Sequence, residues 1–270
     1  MSKNHQFRVA CIQMTTGTKI SENLSILETR FQEAKEKGAD FIVTPEQSLL
    51  MAENKASLFE NISYEDEDFG LRELRGIVKR VGLFVIVGSI SIKYNEDLAL
   101  NRTYAFNPDG DIIGVYDKIH MFDVKLPNGE IYEESKKFQA GNSLKIHNLP
   151  WGKIGLTICY DLRFPLMYRK LTKDGAIFIS VPSAFTKNTG ERHWHILLKA
   201  RAIENMCYIF APAQTGIHPN QRETYGHSLI ISPDGEVLAE KKDGEGILLA
   251  DVDTDLVTRL RAQIPSLDID

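Results

Sequence analysis

Two Pro-Asp-Gly turns constrain this chain more than any other feature. Asn107-Pro108-Asp109-Gly110 and Ser232-Pro233-Asp234-Gly235 each lie between two apolar runs, so each closes a hairpin, over Thr103 to Tyr116 and Leu229 to Glu240. Each hairpin also ends a strand-helix-strand-helix-strand series. In the first series, Phe7 to Met14 reads as a buried strand, and Ser21 is expected to cap a helix with Leu24, Leu27, Phe31 and Ala34 on one face, stopped by Gly38. Phe41 to Thr44 is a strand broken by Pro45. The acidic run Glu65 to Asp68 opens a helix carrying Leu71, Leu74, Val78 and Val81, and Leu83 to Ile92 is a third strand. After an irregular stretch from about Asp117 to Asn142 the order restarts. Ser143 to Ile146 and Lys153 to Ile158 are strands, Phe164 to Lys173 a helix, Ala176 to Val181 a strand, Arg192 to Asn205 a helix and Cys207 to Pro212 a strand. A last strand, Gly246 to Val252, and a short helix from about Asp255 to Ala262 follow. The repeat predicts an old duplication that builds two similar sheets.

Composition narrows the class. A chain of 270 residues, 43% hydrophobic, can bury a substantial core, and residues 1–270 are expected to form one domain. A net charge of -5 without any basic run argues against nucleic-acid binding. The start, Met1-Ser2-Lys3-Asn4-His5-Gln6, leads into an apolar stretch too short for a leader or a membrane span, so a cytoplasmic protein without membrane association is expected. Cys11, Cys159 and Cys207 are widely spaced and odd in number, which fits neither a disulfide framework nor a zinc site.

Within this frame, Lys153 to Pro165 carries the chemistry. An apolar strand runs into Cys159, and Pro165 suits the first turn of a following helix. The chain must turn sharply between them, lifting the sulfur to a sheet rim beside the first N–H groups of that helix. Those groups are expected to lower the thiol pKa from about 8.5 and to help hold an oxyanion. An isolated cysteine is otherwise a small buried hydrophobe. Glu46 also stands at the C-terminal edge of a strand, where α/β sheets build their sites, and two face-to-face sheets can bring both ends to one rim.

Three further segments join Cys159: Pro45-Glu46, Tyr116-Asp117-Lys118-Ile119-His120 and Glu133-Glu134-Ser135. With Cys-Tyr-Asp-Leu-Arg-Phe-Pro at 159–165, the helix from Arg192 to Asn205 and Tyr225-Gly226-His227-Ser228, the chain resembles the nitrilase superfamily of carbon-nitrogen hydrolases over nearly its whole length. Its nearest resemblance is to the Nit-type branch of deaminated-glutathione amidases and omega-amidases. The resemblance implies an α/β fold, the four-layer αββα sandwich of two pseudo-symmetric halves, assembled as a homodimer or higher homo-oligomer. It implies Glu46 as general base, Lys118 as oxyanion and geometry support, Cys159 as nucleophile and Glu134 as a second, orienting carboxylate. No metal and no cofactor is expected.

The remaining assignments follow from chemistry. A thiolate attack on a small-molecule amide would place the oxyanion between Lys118 and the Tyr160 backbone N–H. Arg163 is the candidate receptor for a substrate carboxylate, with a salt bridge to Asp161 as the alternative. Tyr225 and His193 are further candidate substrate contacts, Tyr225 having a packed role as its alternative. Asp161 is expected to cap the next helix, and Glu204 to be a buried partner holding its own helix. His193 and His195, two apart on a helix, do not share a face, which argues against a metal site. The substrate alternatives are α-ketoglutaramate, an N-carbamoyl amino acid or a nitrile. A non-catalytic thiol protein using the same scaffold for binding is the alternative of another class. Gly216 to Glu223 is a loop placed to shape substrate choice, and the tail from Gln263 to Asp270 lacks the basic stretch common in Nit-type relatives.

Overall fold

The period-two alternation of a buried strand is visible from the first element. In β1 (Gln6–Gln13), Phe7, Val9 and Cys11 join one core cluster, whereas Ala10 and Ile12 join another. The first cluster also holds Ile154, Leu156, Phe178 and Phe210 from the second half of the chain, so it lies between two sheets. The second holds Leu27, Phe31, Leu74 and Val78 from the first-half helices, so it lies between sheet and helices. A strand buried on both faces reads as a continuous apolar run, as these do. The computed structural model describes residues 5–126 and 129–269. Met1 to Asn4, part of the start on which the absence of a leader was argued, Pro127 and Asn128 of the irregular stretch, and Asp270 lie outside the described residues.

The first half continues through α1 (Ile20–Glu36), β2 (Phe41–Val43), α2 (Lys55–Asn61), α3 (Phe69–Val81), β3 (Phe84–Lys93), β4 (Ala99–Phe106) and β5 (Ile112–Asp117). A small ribbon, β6 (Asp123–Lys125) with β7 (Ile131–Glu133), occupies part of the stretch expected to be irregular. The second half runs β8 (Lys145–Leu149), β9 (Gly152–Leu156), α4 (Pro165–Lys173), β10 (Phe178–Ser180), α5 (Lys187–Asn205) and β11 (Tyr208–Ala211). A short hairpin, β12 (Thr215–Ile217) with β13 (Glu223–Tyr225), precedes β14 (Ser228–Ile231) and β15 (Val237–Lys241). The chain closes with β16 (Gly246–Asp253), α6 (Thr254–Gln263) and α7 (Ser266–Ile269).

The two six-stranded sheets have the orders β16-β1-β2-β3-β4-β5 and β8-β9-β10-β11-β14-β15. In each, three parallel strands are flanked by one antiparallel strand on one side and an antiparallel pair on the other. The duplication is therefore present strand for strand, with one crossover. The last strand returns to the first sheet and pairs with β1 over its whole length, Gln6 opposite Asp253 through Gln13 opposite Gly246. Aromatic contacts fasten the sheets face to face: Phe7 stacks on Trp151 at 4.4 Å and meets Phe178 edge-on at 5.4 Å. The layers run helix, sheet, sheet, helix.

Local signals explain most element ends. Asp68 caps α3 by accepting the Leu71 N–H at 2.7 Å, and Gly82 ends it in the left-handed conformation. Gly38 terminates α1, donating to Lys35 O while Ala39 donates to Ala34 O. Ser21 does not cap α1, which starts one residue earlier at Ile20. The approach is fixed instead by Asn23, whose side chain accepts the Gly17 N–H and donates to the carbonyls of Gly17 and Leu49.

Candidate active site

β9 ends at Leu156, and Cys159 then adopts φ +48°, a left-handed backbone that costs a non-glycine residue about 1–3 kcal/mol. The Cys159 N–H donates to Pro182 O at 2.9 Å, and a 3-10 turn from Cys159 to Arg163 leads to Pro165 at the first position of α4. Asp161 holds this elbow. It is fully buried and accepts the Ile158 N–H at 2.9 Å and the Tyr116 hydroxyl at 2.7 Å on one oxygen. Its other oxygen meets the His120 N–H at 3.1 Å and His120 Nδ1 at 2.7 Å. Asp161 thus caps the 3-10 turn through the Ile158 N–H and not α4, which begins at Pro165 without a side-chain cap. It ties the Cys159 turn to the segment that carries Lys118, and the alternative Arg163 salt bridge does not form because these donors occupy its carboxylate.

Lys118 follows β5 and is 2% exposed, as deeply buried as the core around it. Its Nζ lies 2.9 Å from Glu46 Oε1, 2.9 Å from Glu134 Oε1 and 2.8 Å from Glu134 Oε2. Glu46 follows β2 and is held on its other oxygen by the Ala184 N–H at 2.8 Å. Glu134 stands in a 3-10 turn after β7 and also accepts the Phe122 N–H at 2.7 Å. Asn101 of β4 joins the two carboxylates, Nδ2 lying 2.9 Å from Glu46 Oε1 and 3.2 Å from Glu134 Oε1. A lysine with two carboxylates in a dry pocket satisfies the rule that buried charges are paired and hydrogen-bonded.

The electrostatics follow from this arrangement. Burial alone would raise the Glu46 pKa, but Lys118, Arg222 and the Ala184 N–H overcome it and hold the carboxyl below its ordinary range. Lys118 is raised against its burial by Glu134 and Glu46. The Cys159 thiol is pushed up to about 12, by burial first and then by Glu46, with Lys118 and Arg222 opposing. This reverses the expectation of a thiol acidified by helix N–H groups. The sulfur is enclosed and faces a carboxylate, and both effects disfavour the thiolate.

Glu46, Lys118, Glu134, Cys159 and Tyr160 open on one cavity of about 350 Å³, together with Arg222. Phe122, Tyr132, Phe138 and Phe185 give it apolar walls. The Tyr160 N–H engages no acceptor among the described residues, so it is an open donor next to the sulfur. Arg163, His193 and Tyr225 do not line this cavity. The Arg163 guanidinium lies over the outer sides of the site's aromatics, 5.9 Å from the Tyr160 ring and 5.3 Å from that of Phe185, and 3.3 Å from His193 Nδ1. Tyr225 stacks on His227 at 4.2 Å and packs on Gly190 of α5, its alternative role. His195 turns away from His193 to Glu240 at 3.0 Å. Glu204 is half-exposed rather than buried and pairs with Arg201 at 2.9 Å.

Asn101, Ala184 and Arg222 are the site residues that sequence reasoning missed. Asn101 had a signal, an amide inside an apolar strand, which is a buried polar group in need of partners. Ala184 acts through its backbone and had none.

Comparison with known proteins agrees with this geometry. The family model described as carbon-nitrogen hydrolase matches residues 8–262. A Yersinia enterocolitica protein named deaminated glutathione amidase is 38% identical over 263 residues, covering 96% of this chain and 91% of that one. A Synechocystis protein of the same name is 36% identical over 267 residues, 97% of each. The crystal structure of the C. elegans NitFhit protein superposes with a TM-score of 0.91 at 31% identity, covering 98% of this chain and 65% of that one. Matched along its length by the family model and in its layers by a solved relative, the chain belongs to the carbon-nitrogen hydrolase family.

Proposed function

We propose that this enzyme hydrolyses the terminal amide of a small, carboxylate-bearing substrate through a Cys159 thioester, with Glu46, Lys118 and Cys159 as its triad and Glu134 as the orienting carboxylate. The observation that carries this reading is the convergence of a buried thiol, an ionised carboxylate and a paired ammonium on one cavity. With the thiol at about 12, the thiolate is not preformed at neutral pH. Glu46 accepts the proton as sulfur attacks the amide carbon, and the carbonyl oxygen becomes an oxyanion between Lys118 and the Tyr160 N–H. Losing one such donor typically costs about 2.7–4 kcal/mol of transition-state stabilisation. The protonated Glu46 then gives its proton to the departing nitrogen as the C–N bond breaks, releasing the amine (ammonia from a primary amide, cysteinylglycine from deaminated glutathione) and leaving the acyl group on sulfur. A water, deprotonated by Glu46, attacks the thioester, and the thiolate leaves and regains its proton as the carboxylic acid departs.

Deaminated glutathione is the leading substrate, supported by the relatives that carry its name. Turnover measured side by side tests it, read as cysteinylglycine release from deaminated glutathione and as ammonia release from α-ketoglutaramate and N-carbamoyl amino acids. Turnover of another amide with none of the first would replace the substrate. A folded protein that turns over none of these amides would favour a binding scaffold. A homodimer and a cytoplasmic setting belong to the same reading. Leu166 of α4 and Ile196 and Ile203 of α5 are exposed, the last two on one helical face, as a buried subunit contact would need. All three cysteines are free thiols, as a reducing compartment keeps them, and among the described residues no helix is long and apolar enough to cross a membrane.

A further inference from the structure

Arg222 lies on the loop between β12 and β13 and lines the cavity with Cys159. Among the described residues no carboxylate lies within ion-pair distance of it, although its charge acts on Glu46. Of the lysines in the cavity wall, Lys118 is held by Glu46 and Glu134 and Lys136 by Glu133, whereas Lys137 likewise has no carboxylate partner among the described residues. One nitrogen of Arg222, Nη2, donates to the Ala184 carbonyl, and the guanidinium sits 5.4 Å from the Tyr132 ring centroid. Its Nε is buried without an acceptor among the described residues. A partly desolvated guanidinium with donors to spare calls for an anion, and a carboxylate matches its fork.

The surroundings hold it in place before any ligand arrives. Ala184 donates its N–H to Glu46 and its carbonyl accepts from Arg222, so the backbone of one residue positions both the carboxylate of the triad and this cation. The loop is closed by His218 N–H to Arg222 O at 2.9 Å and pinned by buried His218, which lies 3.1 Å from Thr16 O and 2.8 Å from Thr224 Oγ1. Such preorganisation lowers the ordering cost of binding.

We propose that Arg222, and not Arg163, is the receptor for the substrate's carboxylate, and so selects anionic over neutral linear amides. The assignment rests on the amidase reading given above. Its test compares Arg222→Met and Arg222→Lys with the unaltered chain on glutaramate, a carboxylate-bearing amide, and on its neutral analogue butyramide. Charge-assisted hydrogen bonds predict a rise in KM for glutaramate of between about tenfold and about a hundredfold in Arg222→Met. The rise should exceed by at least about tenfold any change seen with butyramide, and Arg222→Lys should restore part of it. Equal losses in kcat on both amides, or the larger KM effect appearing instead in Arg163→Met or Lys137→Met, would overturn the assignment. Glutarate binding to Cys159→Ala protein, with and without Arg222→Met, is read by calorimetry and needs no turnover. If the unaltered chain hydrolyses neither these two amides nor deaminated glutathione the amidase reading fails, while glutarate weakened about tenfold or more by Arg222→Met still supports the receptor and unchanged glutarate affinity refutes it.

Discussion

Lys118 Nζ stands 2.9 Å from Glu46 Oε1, with only 2% and 5% of the two side chains exposed. Glu134 is the ammonium's other partner, so the two directions of breaking this pair are unequal. Lys118→Met leaves two carboxylates facing each other out of water, whereas Glu46→Gln leaves Lys118 with Glu134. Removing one partner of a buried pair costs about 3–5 kcal/mol, and Lys118→Met should fall in that range. Glu46→Gln should cost roughly 1–3 kcal/mol, the scale of a hydrogen bond to a charged group. Urea unfolding of the two variants checks the order; a Glu46→Gln protein less stable than Lys118→Met would contradict the pairing described here.

The charge on Glu46 also sets the reactivity of sulfur. Glu46 is a cause of the raised thiol pKa second only to burial, and Lys118 and Arg222 oppose it. Neutralising Glu46 should therefore lower the thiol pKa from about 12 and move the midpoint of Cys159 alkylation by iodoacetamide to lower pH. Amide turnover should meanwhile drop by about 10²–10⁴, the usual contribution of a general base. On the proposed mechanism, Glu46 is the group that must be ionised. Because its pKa is held below the ordinary 4.5, the acid limb of kcat/KM should lie below about pH 4.5 rather than near neutrality. Alkylation and turnover lost in parallel in Glu46→Gln would refute this separation of roles.

Gly88 decides how closely the two halves meet. It sits in the bulge of β3, where pairing with β4 skips from Val87 to Ile90. A Cβ there would stand 2.0 Å from Thr44 O, 2.6 Å from Pro45 O and 2.3 Å from Pro182 Cβ. Pro45 precedes Glu46, and Pro182 O accepts the Cys159 N–H, so an added methyl would push Glu46 and Cys159 apart. Overpacking costs about 1–3 kcal/mol where side chains can yield, and backbone carbonyls yield less. Gly88→Ala should lose about 3 kcal/mol or more, along with Cys159 alkylation; stability within about 0.5 kcal/mol of the unaltered protein would show that the bulge can open.

Much of this was legible from short-range chemistry. The hairpins, Gly38, Gly82, Pro165 and the strand ends carrying Glu46 and Cys159 each follow from a local rule, and the repeat of those rules disclosed the paired sheets. What stayed hidden depends on contacts across long separations. That β16 crosses back to β1 is not written in either strand, since both read as buried runs. Asp161 could be recognised as a capping residue type, but not as the partner of Tyr116, 45 positions earlier. The direction of the Cys159 shift was misread because it is set by enclosure and by Glu46, whereas sequence offers only the helix that follows. Arg163 stands out in the sequence by its nearness to Cys159, whereas folding brings the more distant Arg222, from the loop expected to shape substrate choice, into the cavity wall.

His218 ties the Arg222 loop to the first half of the chain, and it is built to stay neutral. Burial pushes it down to about 4, and Nδ1 must carry the hydrogen because it faces the Thr16 carbonyl at 3.1 Å. The unfolded chain takes up a proton at this histidine near pH 6.5, well before the folded one. Between those two values the unfolded state binds more protons, so stability falls as pH falls and levels off for this group below about 4. At pH 5 the loss should reach about 2 kcal/mol relative to neutral pH. Carboxylates titrate in the same region, so the measurement is a difference: urea unfolding of the unaltered chain and of His218→Asn at pH 7 and pH 5. The unaltered chain should lose about 2 kcal/mol more than the variant over that interval, and two parallel losses would mean that His218 accepts its proton without leaving the fold.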